Sequence, residues 1–194
     1  MSLESALRAG LEALGIACDE ARQALLLEYL GLIERWNRTY NLTAVREPAE
    51  MLSKHLLDAL SVLPWVPAGR LLDAGTGAGL PGIPLAIVNA GLEVTLLDSA
   101  GKKVRFLNHV KRTLSLANVH PLQARLASAE LPEAPNAIIS RAFSSLAGFA
   151  GAARHLAGRD TRMLAMKGRY PEEEIEALPG WVDICSIEKL SVPG

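Results

Sequence analysis

The feature that most constrains the fold is a glycine-rich loop that follows an apolar segment. Leu71–Asp73 has the apolar character of a buried β-strand, and Gly75, Gly77, Gly79 and Gly82 follow it closely. Glycines allow positive φ angles and let backbone amides approach a ligand without an intervening Cβ. In open α/β sheets, ligands bind at the carboxyl ends of the strands. We therefore expect such a sheet, with a ligand bound at this loop.

Short apolar segments with strand character recur after Gly69 and alternate with helical stretches. The predicted strands are Arg70–Asp73, Glu93–Asp98, Val119–Ala124, Ala137–Ser140, Met163–Met166 and Val182–Leu190. The clearest helices between them are Lys102–Leu116 and Ser145–Leu156. Strands that alternate with helices predict a parallel sheet covered on both faces. The prediction is an α/β, Rossmann-like, doubly wound and mostly parallel sheet over residues 69–194.

The first 68 residues have helical patterns instead. Leucines recur at helical spacing from Leu3 until Gly15, where the first helix is expected to end. Asp19 is placed to cap a second helix, and Pro48 suits the first turn of a third that runs to about Leu63. We predict that residues 1–68 form a helical cap packed on the sheet domain.

The spacing of the loop distinguishes between two kinds of cofactor. Gly77–Gly82 satisfies the dinucleotide pattern G-x-G-x-x-G, in which the first glycine should follow the strand directly. Here four residues from Asp73 to Thr76 intervene, and the run has the form D-x-G-x-G-x-G that is typical of S-adenosylmethionine-dependent methyltransferases. Asp98, 23 positions after Gly75, is placed to accept hydrogen bonds from the ribose hydroxyls of either cofactor. The alternative role for Asp98 is to cap the following helix.

The basic residues are concentrated in one part of a chain whose formal net charge is −1. Residues 99–170 contain twelve Lys or Arg residues against three acidic ones, a local net charge of +9. This asymmetry is typical of a surface that binds a polyanion. The alternative explanation is a helix face that contacts only solvent, which can have the same composition. The candidate contacts to RNA are Lys102, Lys103, Arg105, Lys167 and Arg169.

Several motifs together resemble the bacterial ribosomal RNA small subunit methyltransferase G family, also called glucose-inhibited division protein B. In the second part of the chain they are Asp73–Ile87, Leu96–Ser99, Lys102–Leu107, Ile139–Phe143 and Met166–Gly168. Upstream, Trp36-Asn37, Tyr40–Thr43 and the pair His55 and Asp58 resemble the family's helical N-terminal region. The motifs follow the order of the family over nearly the whole chain.

The resemblance implies methyl transfer from S-adenosylmethionine to N7 of a guanosine in the 530 loop of 16S rRNA. It implies cofactor contacts by Gly75, Leu80, Leu126, Ala127 and Arg141, in addition to the roles of Gly77, Gly79 and Asp98 in the loop and at the strand tip. Family members often carry an acidic residue at the position of Ala127, so an adenine contact there would come from the backbone. They also continue into one more strand, and we expect this C-terminal edge strand to be missing.

The implied reaction makes a small chemical demand. Guanine N7 has a lone pair and no proton to lose, so in-line placement of the reacting atoms replaces a general base. Arg141 is the one catalytic candidate. It could contact the cofactor, a phosphate or a guanine edge. The alternative is that it forms a surface salt bridge. The pair His55 and Asp58 lies at near-neighbour helical spacing, and we interpret His55 as a structural hydrogen-bonding residue.

Two other functions stay open at this point. One is a methyltransferase that acts on another RNA or on a small molecule, and the other is a binding protein that has lost catalysis. Cys18 and Cys185 fit no metal or redox spacing, and the sequence contains no apolar run of transmembrane length. We expect a cytoplasmic monomer without metal or membrane contact, whose partner is 16S rRNA or a precursor of the small ribosomal subunit.

Overall fold

The computed structural model describes residues 2–141, 143 and 145–193 and contains a five-stranded sheet flanked by helices. The strands are β1 (Gly69–Ala74), β2 (Leu92–Asp98), β3 (Val119–Gln123), β4 (Ala137–Ser140) and β5 (Arg162–Ala165). Their order is β3-β2-β1-β4-β5, and every neighbouring pair is parallel. The predicted α/β, doubly wound fold is confirmed, with a sheet that is parallel throughout these five strands.

The strand order reverses beside β1, which positions the site. The chain runs outward from β1 to β2 and β3, and then returns to place β4 on the other side of β1. At this point the carboxyl ends of β1 and β4 diverge toward different connections, and open α/β sheets bind ligands in the resulting crevice. Leu71, Leu72, Asp73 and Ala74 are all buried, as expected for a central strand covered on both faces.

The helices cover the sheet and form the N-terminal cap. They are α1 (Leu3–Ala13), α2 (Glu20–Tyr40), α3 (Pro48–Met51), α4 (Asp58–Ser61), α5 (Gly82–Val88), α6 (Gly101–Thr113), α7 (Leu146–Ala153) and α8 (Glu172–Glu176). The Ser2 and Asp19 side chains accept hydrogen bonds from backbone N–H groups in the first turns of α1 and α2. Gly15 follows α1 with a φ of +67°, as the sequence predicts for a residue that ends a helix.

The third predicted helix is only partly correct. It begins at Pro48 as expected, but a π-helical turn over Leu52–Leu57 separates α3 from α4, and a 3₁₀ turn follows at Leu63–Trp65. The helical segment thus begins at the predicted residue and ends at Ser61, close to the predicted Leu63, but its central turn is irregular. Apolar periodicity cannot reveal a single wide turn, because the apolar side chains on both sides of it stay buried. Such turns occur frequently at functional sites.

The cap and one face of the sheet share a continuous hydrophobic core. Leu7 of α1 and Leu26 of α2 belong to the same buried cluster as Leu71 of β1 and Ile83 of α5. Phe149 of α7 belongs to a second cluster on the opposite face. The boundary at residues 68 and 69 between a cap and a separate domain therefore stays a prediction.

The predicted strand over Val182–Leu190 is wrong. This segment has no regular secondary structure, and Ile184 and Ile187 on it are largely exposed. A strand requires a neighbour for its backbone hydrogen bonds, and β5, at the edge of the sheet, pairs only with β4 among the described residues. No helix in the described part of the chain is long and apolar enough to cross a membrane.

Candidate functional site

The glycine loop lies where the sequence predicts, at the carboxyl end of β1. The backbone N–H groups of Gly75 and Thr76 donate to the carbonyl of Leu97 in β2, at 2.8 and 3.1 Å. Gly75, Gly77 and Gly79 have φ angles of +72°, +63° and +97°, which L-residues with a Cβ rarely adopt. The loop therefore folds back over the end of β2, with its conformation set by three glycines.

Gly77 marks the open side of this loop. A Cβ built on Gly77 would have the Gly75 carbonyl oxygen, at 4.0 Å, as its nearest neighbour. The Gly77 N–H donates to Asp98 Oδ2 at 3.0 Å, so the loop and the tip of β2 are joined directly. Space beside a backbone amide with no side chain is the arrangement that a bound nucleoside requires.

Asp73 is a buried carboxyl directly before the loop. Its Oδ2 accepts hydrogen bonds from the Thr76 hydroxyl at 2.6 Å and from the Gly82 N–H at 2.8 Å. Its Oδ1 has no hydrogen-bond partner within the described part of the chain. Burial raises the pKa of Asp73 to about 6, and the bonds from Thr76 and Gly82 oppose that rise. An unsatisfied buried acceptor is costly, and a cationic or hydrogen-bond-donating ligand would relieve that cost.

Asp98 forms hydrogen bonds to the loop and to the residue before α6, but the N-cap residue of α6 is Ala100, so the alternative that Asp98 caps this helix is wrong. Besides the Gly77 bond, Oδ1 accepts from the Ala100 N–H at 2.9 Å, directly before α6 begins at Gly101. Oδ2 also lies 3.2 Å from Nζ of Lys103. The carboxylate thus organises the start of α6 while it lies beside the loop, and its contact with a ribose stays a prediction.

The remaining predicted cofactor residues surround the loop from two sides. Leu80 is buried within it, and its N–H donates to the Thr76 carbonyl at 3.0 Å. Leu126 and Ala127 lie in a 3₁₀ turn, Leu126–Ser128, that follows β3; Leu126 is buried and Ala127 is exposed. Both residues are therefore at the carboxyl edge of the sheet, where the resemblance requires them.

Arg141 extends from the end of β4 to the N-terminal cap. Its Nη1 donates to Asp58 Oδ2 at 2.8 Å and to the Lys54 carbonyl at 3.2 Å. The alternative of a salt bridge is thus realised, although the pair links two parts of the site and is only about 30% exposed. Ala142, the next residue of that predicted motif, lies outside the described residues.

His55 and Asp58 have different partners in the structure. The His55 Nε2 lies 2.8 Å from the Thr43 hydroxyl, and its Nδ1 lies 3.0 Å from the Lys54 carbonyl. Burial lowers the pKa of His55. These contacts agree with the interpretation of His55 as a structural hydrogen-bonding residue.

Tyr29 is a contact to the site that the sequence did not reveal. It lies in the apolar stripe of α2, is fully buried, and donates its hydroxyl to the Ala78 carbonyl of the glycine loop at 2.8 Å. Burial raises the pKa of Tyr29 well above its ordinary value, so its hydroxyl stays a donor. A tyrosine in an apolar stripe is a usable signal, because a buried hydroxyl needs a partner, but the sequence cannot say which acceptor it meets.

The predicted RNA contacts separate into exposed and paired residues. Lys102 and Arg105 are exposed on α6, and Arg169 is exposed after β5. Lys103, in contrast, forms an ion pair with Asp98 beside the glycine loop. Lys167 forms a part-buried ion pair with Glu174 at 2.8 Å. The surface available to a polyanion is therefore smaller than the sequence suggests.

Structures of known proteins agree with the fold. Coclaurine N-methyltransferase bound to N-methylheliamine and S-adenosylhomocysteine superposes with a TM-score of 0.52 and 18% identity, over 71% of this chain and 42% of that chain. An S-adenosylmethionine-dependent methyltransferase from Thiobacillus denitrificans, in complex with S-adenosylhomocysteine, superposes with a TM-score of 0.50 and 19% identity, over 70% and 53% of the two chains. At such identities the likeness shows the fold alone.

Sequence comparisons are more specific. The family model described as GidB, rRNA small subunit methyltransferase G, matches residues 22–194. The ribosomal RNA small subunit methyltransferase G of Alkalilimnicola ehrlichii is 51% identical over 189 residues, covering 97% of this chain and 86% of that protein. The protein of the same name from Pseudomonas aeruginosa is 52% identical over 187 residues, covering 95% and 87%. The chain therefore belongs to the ribosomal RNA small subunit methyltransferase G family, as its motifs predict.

Proposed function

We propose that this chain transfers a methyl group from S-adenosylmethionine to N7 of a guanosine in the 530 loop of 16S rRNA. The observation that carries the proposal is the identity of about half of all residues with proteins of that family over nearly the whole chain. The choice of atom and loop comes from the family resemblance. The geometry adds support at the predicted cofactor loop, at Arg141 beside the end of β1, and on the exposed surface of α6.

The residues present fit the cofactor. The open side of Gly77 gives room for a nucleoside beside a backbone amide, and Asp98 at the tip of β2 is placed for the ribose hydroxyls. The unpartnered Oδ1 of Asp73 suits a cationic group. Leu126 and Ala127 would flank the adenine from the end of β3. When bound, the cofactor supplies an electrophilic methyl group on a positively charged sulfur.

The protein's contribution to the reaction is placement. Guanine N7 loses no proton on methylation, and charge moves from the methyl donor to the base without being created. The reacting atoms must be held in line at about 3–3.5 Å, a distance typical of near-attack geometry. Arg141 lies next to the end of β1, because the hydroxyl of its neighbour Ser140 donates to the Ala74 carbonyl at 2.8 Å. It is therefore available to position the base, with no proton transfer assigned to it.

The RNA would approach along α6 and the end of β5. Lys102, Arg105 and Arg169 are exposed there, and we propose that they contact backbone phosphates, which position a nucleic acid without reading its sequence. Lys103 and Lys167 are engaged in ion pairs and would contribute mainly to the shape of the site. We further propose that the protein acts as a cytoplasmic monomer.

The experiment that tests this function is transfer of labelled methyl from S-adenosylmethionine to 30S subunits and to deproteinised 16S rRNA, followed by mapping of the modified nucleotide. The expected product is a 7-methylguanosine in the 530 loop. Label on an exocyclic amine, on another RNA or on a ribosomal protein would contradict the proposal. Absence of label from both substrates would favour the alternative, a methyltransferase that acts on another RNA or on a small molecule.

A further inference from the structure

A cavity between the π-helical segment of the N-terminal cap and Val192 of the C-terminal segment contains none of the predicted cofactor residues in its wall. Its volume is about 330 Å³, and its lining residues are Ser53, Lys54, Asp58 and Val192. This volume lies at the lower end of the range of about 300–1,000 Å³ for small-ligand pockets, a size that suits one nucleoside. Enzymes that act on a base within RNA or DNA take that base out of the stack and into such a pocket.

The wall of the cavity is connected to the predicted cofactor loop through a short series of contacts. Asp58 in its wall is bonded to Arg141, and Arg141 directly follows Ser140 at the end of β4. The Ser140 hydroxyl donates to the carbonyl of Ala74, the last residue of β1. Gly75, the first glycine of the loop, comes next in the chain. One continuous series of contacts thus joins the cavity wall to the cofactor loop.

Asp58 offers this cavity an acceptor that is held in place. Its Oδ2 is engaged by Arg141 at 2.8 Å, whereas Oδ1 has no hydrogen-bond partner among the residues that the structure describes. The side chain is 30% exposed, so it is accessible to a ligand. Arg141 also donates to the Lys54 carbonyl at 3.2 Å, which fixes the guanidinium and the carboxylate together against the π-helical turn.

A carboxylate at this place solves a recognition problem that N7 chemistry creates. Guanine and adenine both present N7, so the reacting atom cannot distinguish them. They differ at ring positions 1 and 2: guanine carries donors there, at N1–H and the 2-amino group, whereas adenine has an acceptor at N1 and only a C–H at position 2. A carboxylate has only acceptors, so it binds the guanine edge and repels the adenine one.

We propose that the cavity holds the extruded target base and that Asp58, oriented by Arg141, selects guanine by accepting hydrogen bonds from its N1–H and 2-amino groups. With that edge bound by Asp58, the N7 edge of the base faces away from the carboxylate. The proposal rests on the proposed function and identifies its base-recognition site. Arg141 is a positioning residue in this arrangement.

The test uses the 30S particle or synthetic target-loop RNA on which the wild-type chain is active, with guanosine or inosine at the target position. Inosine keeps N7 and N1–H but lacks the 2-amino group. We expect kcat/KM of the wild type to be about 10- to 100-fold lower on inosine than on guanosine, as one lost bond to a charged group implies. The intrinsic reactivity ratio of the two bases is measured separately with dimethyl sulfate.

In Asp58→Ala we expect kcat/KM on guanosine to fall while the guanosine-to-inosine ratio approaches the intrinsic one. Asp58→Asn keeps one acceptor oxygen and should give an intermediate ratio. Glu34→Gln is the matched control, because it removes another ion pair of the cap, to Arg38 and also at 2.8 Å, away from the cavity; its ratio should equal that of the wild type. Calorimetry with S-adenosylmethionine verifies that each variant keeps the cofactor site.

The outcomes separate the two proposals. A wild type that methylates guanosine and inosine in their intrinsic ratio overturns the pocket assignment without any variant. An unchanged ratio in Asp58→Ala and Asp58→Asn assigns the ion pair with Arg141 to the attachment of the cap alone and also overturns it. A wild type that methylates no guanosine in 30S subunits or 16S rRNA overturns the proposed function, and the pocket with it.

Discussion

Removal of the Tyr29 hydroxyl tests whether the N-terminal cap holds the cofactor loop in place. In Tyr29→Phe the ring still fills its buried place, and the single loss is the hydrogen bond to the Ala78 carbonyl at 2.8 Å. Ala78 is itself only 4% exposed, so water cannot replace the hydroxyl without a local opening. A buried carbonyl left without a donor costs about 1–3 kcal/mol.

The position of Ala78 determines whether the lost hydrogen bond lowers the stability of the protein or its affinity for the cofactor. It lies between Gly77 and Gly79, which have positive φ angles, so this part of the loop has little steric resistance to a change of conformation. If the loop stays in place, the free energy of unfolding absorbs the whole cost. If the carbonyl turns toward water, the loop must be reordered when the cofactor binds. We expect unfolding to become easier by about 1–2 kcal/mol and the Kd for S-adenosylmethionine to rise about 3- to 10-fold.

Denaturant unfolding measures the change in the free energy of unfolding, and titration calorimetry measures the change in the Kd for S-adenosylmethionine. Tyr40→Phe is the matched control, because Tyr40 is half-buried near the end of the same helix and its hydroxyl makes no hydrogen bond within the described part of the chain. That variant should match the wild type in both measurements. The reasoning is refuted if Tyr29→Phe also retains the stability and the cofactor affinity of the wild type.

Three further predictions concern the loop, the basic surface and the buried carboxyl. Gly77→Val should lower cofactor affinity by at least about 100-fold, because its side chain would enter the open side of the loop at a φ of +63°. Lys102→Glu with Arg105→Glu should weaken RNA binding and flatten its salt dependence, while calorimetry shows unchanged cofactor affinity. For Asp73, whose pKa is raised to about 6 from 3.8, the folded state binds more protons than the unfolded state between these values. The wild type should therefore lose up to about 3 kcal/mol of unfolding free energy relative to Asp73→Asn as the pH rises from 4 to 7.

Each of these predictions has a control or a contradicting result. Gly15→Val carries a similar backbone strain, at φ +67° and with open space, far from the loop; it should reduce stability and leave the cofactor affinity unchanged. A parallel loss of cofactor and RNA affinity in the α6 double variant would show that the two surfaces are not separate. The prediction for Asp73 compares the free energies of unfolding of the wild type and Asp73→Asn. If their difference is the same at pH 4 and at pH 7, that result contradicts the raised pKa of Asp73.

The parts that the sequence predicted well are those that depend on local patterns. The strands β1 to β5 are short apolar runs between turn signals, and the loop is recognisable because positive φ angles require glycine at fixed positions. The start of the second helix at Asp19 follows from a side chain that caps the backbone within three residues. Val182–Leu190 failed for the opposite reason, since its alternation says nothing about whether a partner strand is present.

The contacts that build the site are the part that could not be predicted. Tyr29 and Ala78 are 49 residues apart, and Arg141 and Asp58 are 83 apart, so neither pair has a local signature. Both pairs depend on how the cap packs on the sheet. Lys103 and Lys167 look like surface charges in the sequence, although Asp98 and Glu174, which engage them in the fold, are only five and seven residues away.

The π-helical turn accounts for the different partners of His55 and Asp58, which their near-neighbour spacing does not reveal. In a regular helix, residues three apart lie on one face. A turn widened by one residue rotates the downstream residues by about 100° relative to a regular helix. In the structure His55 faces Thr43 within the cap, and Asp58 faces Arg141 at the end of β4. The irregular turn thus lets nearby residues of one segment serve two purposes: one side chain closes the cap, and the other extends to the sheet. Because α2 supplies Tyr29 to the loop in the same way, the cap is in direct contact with the glycine loop, and in the arrangement that we propose it contacts the target base as well.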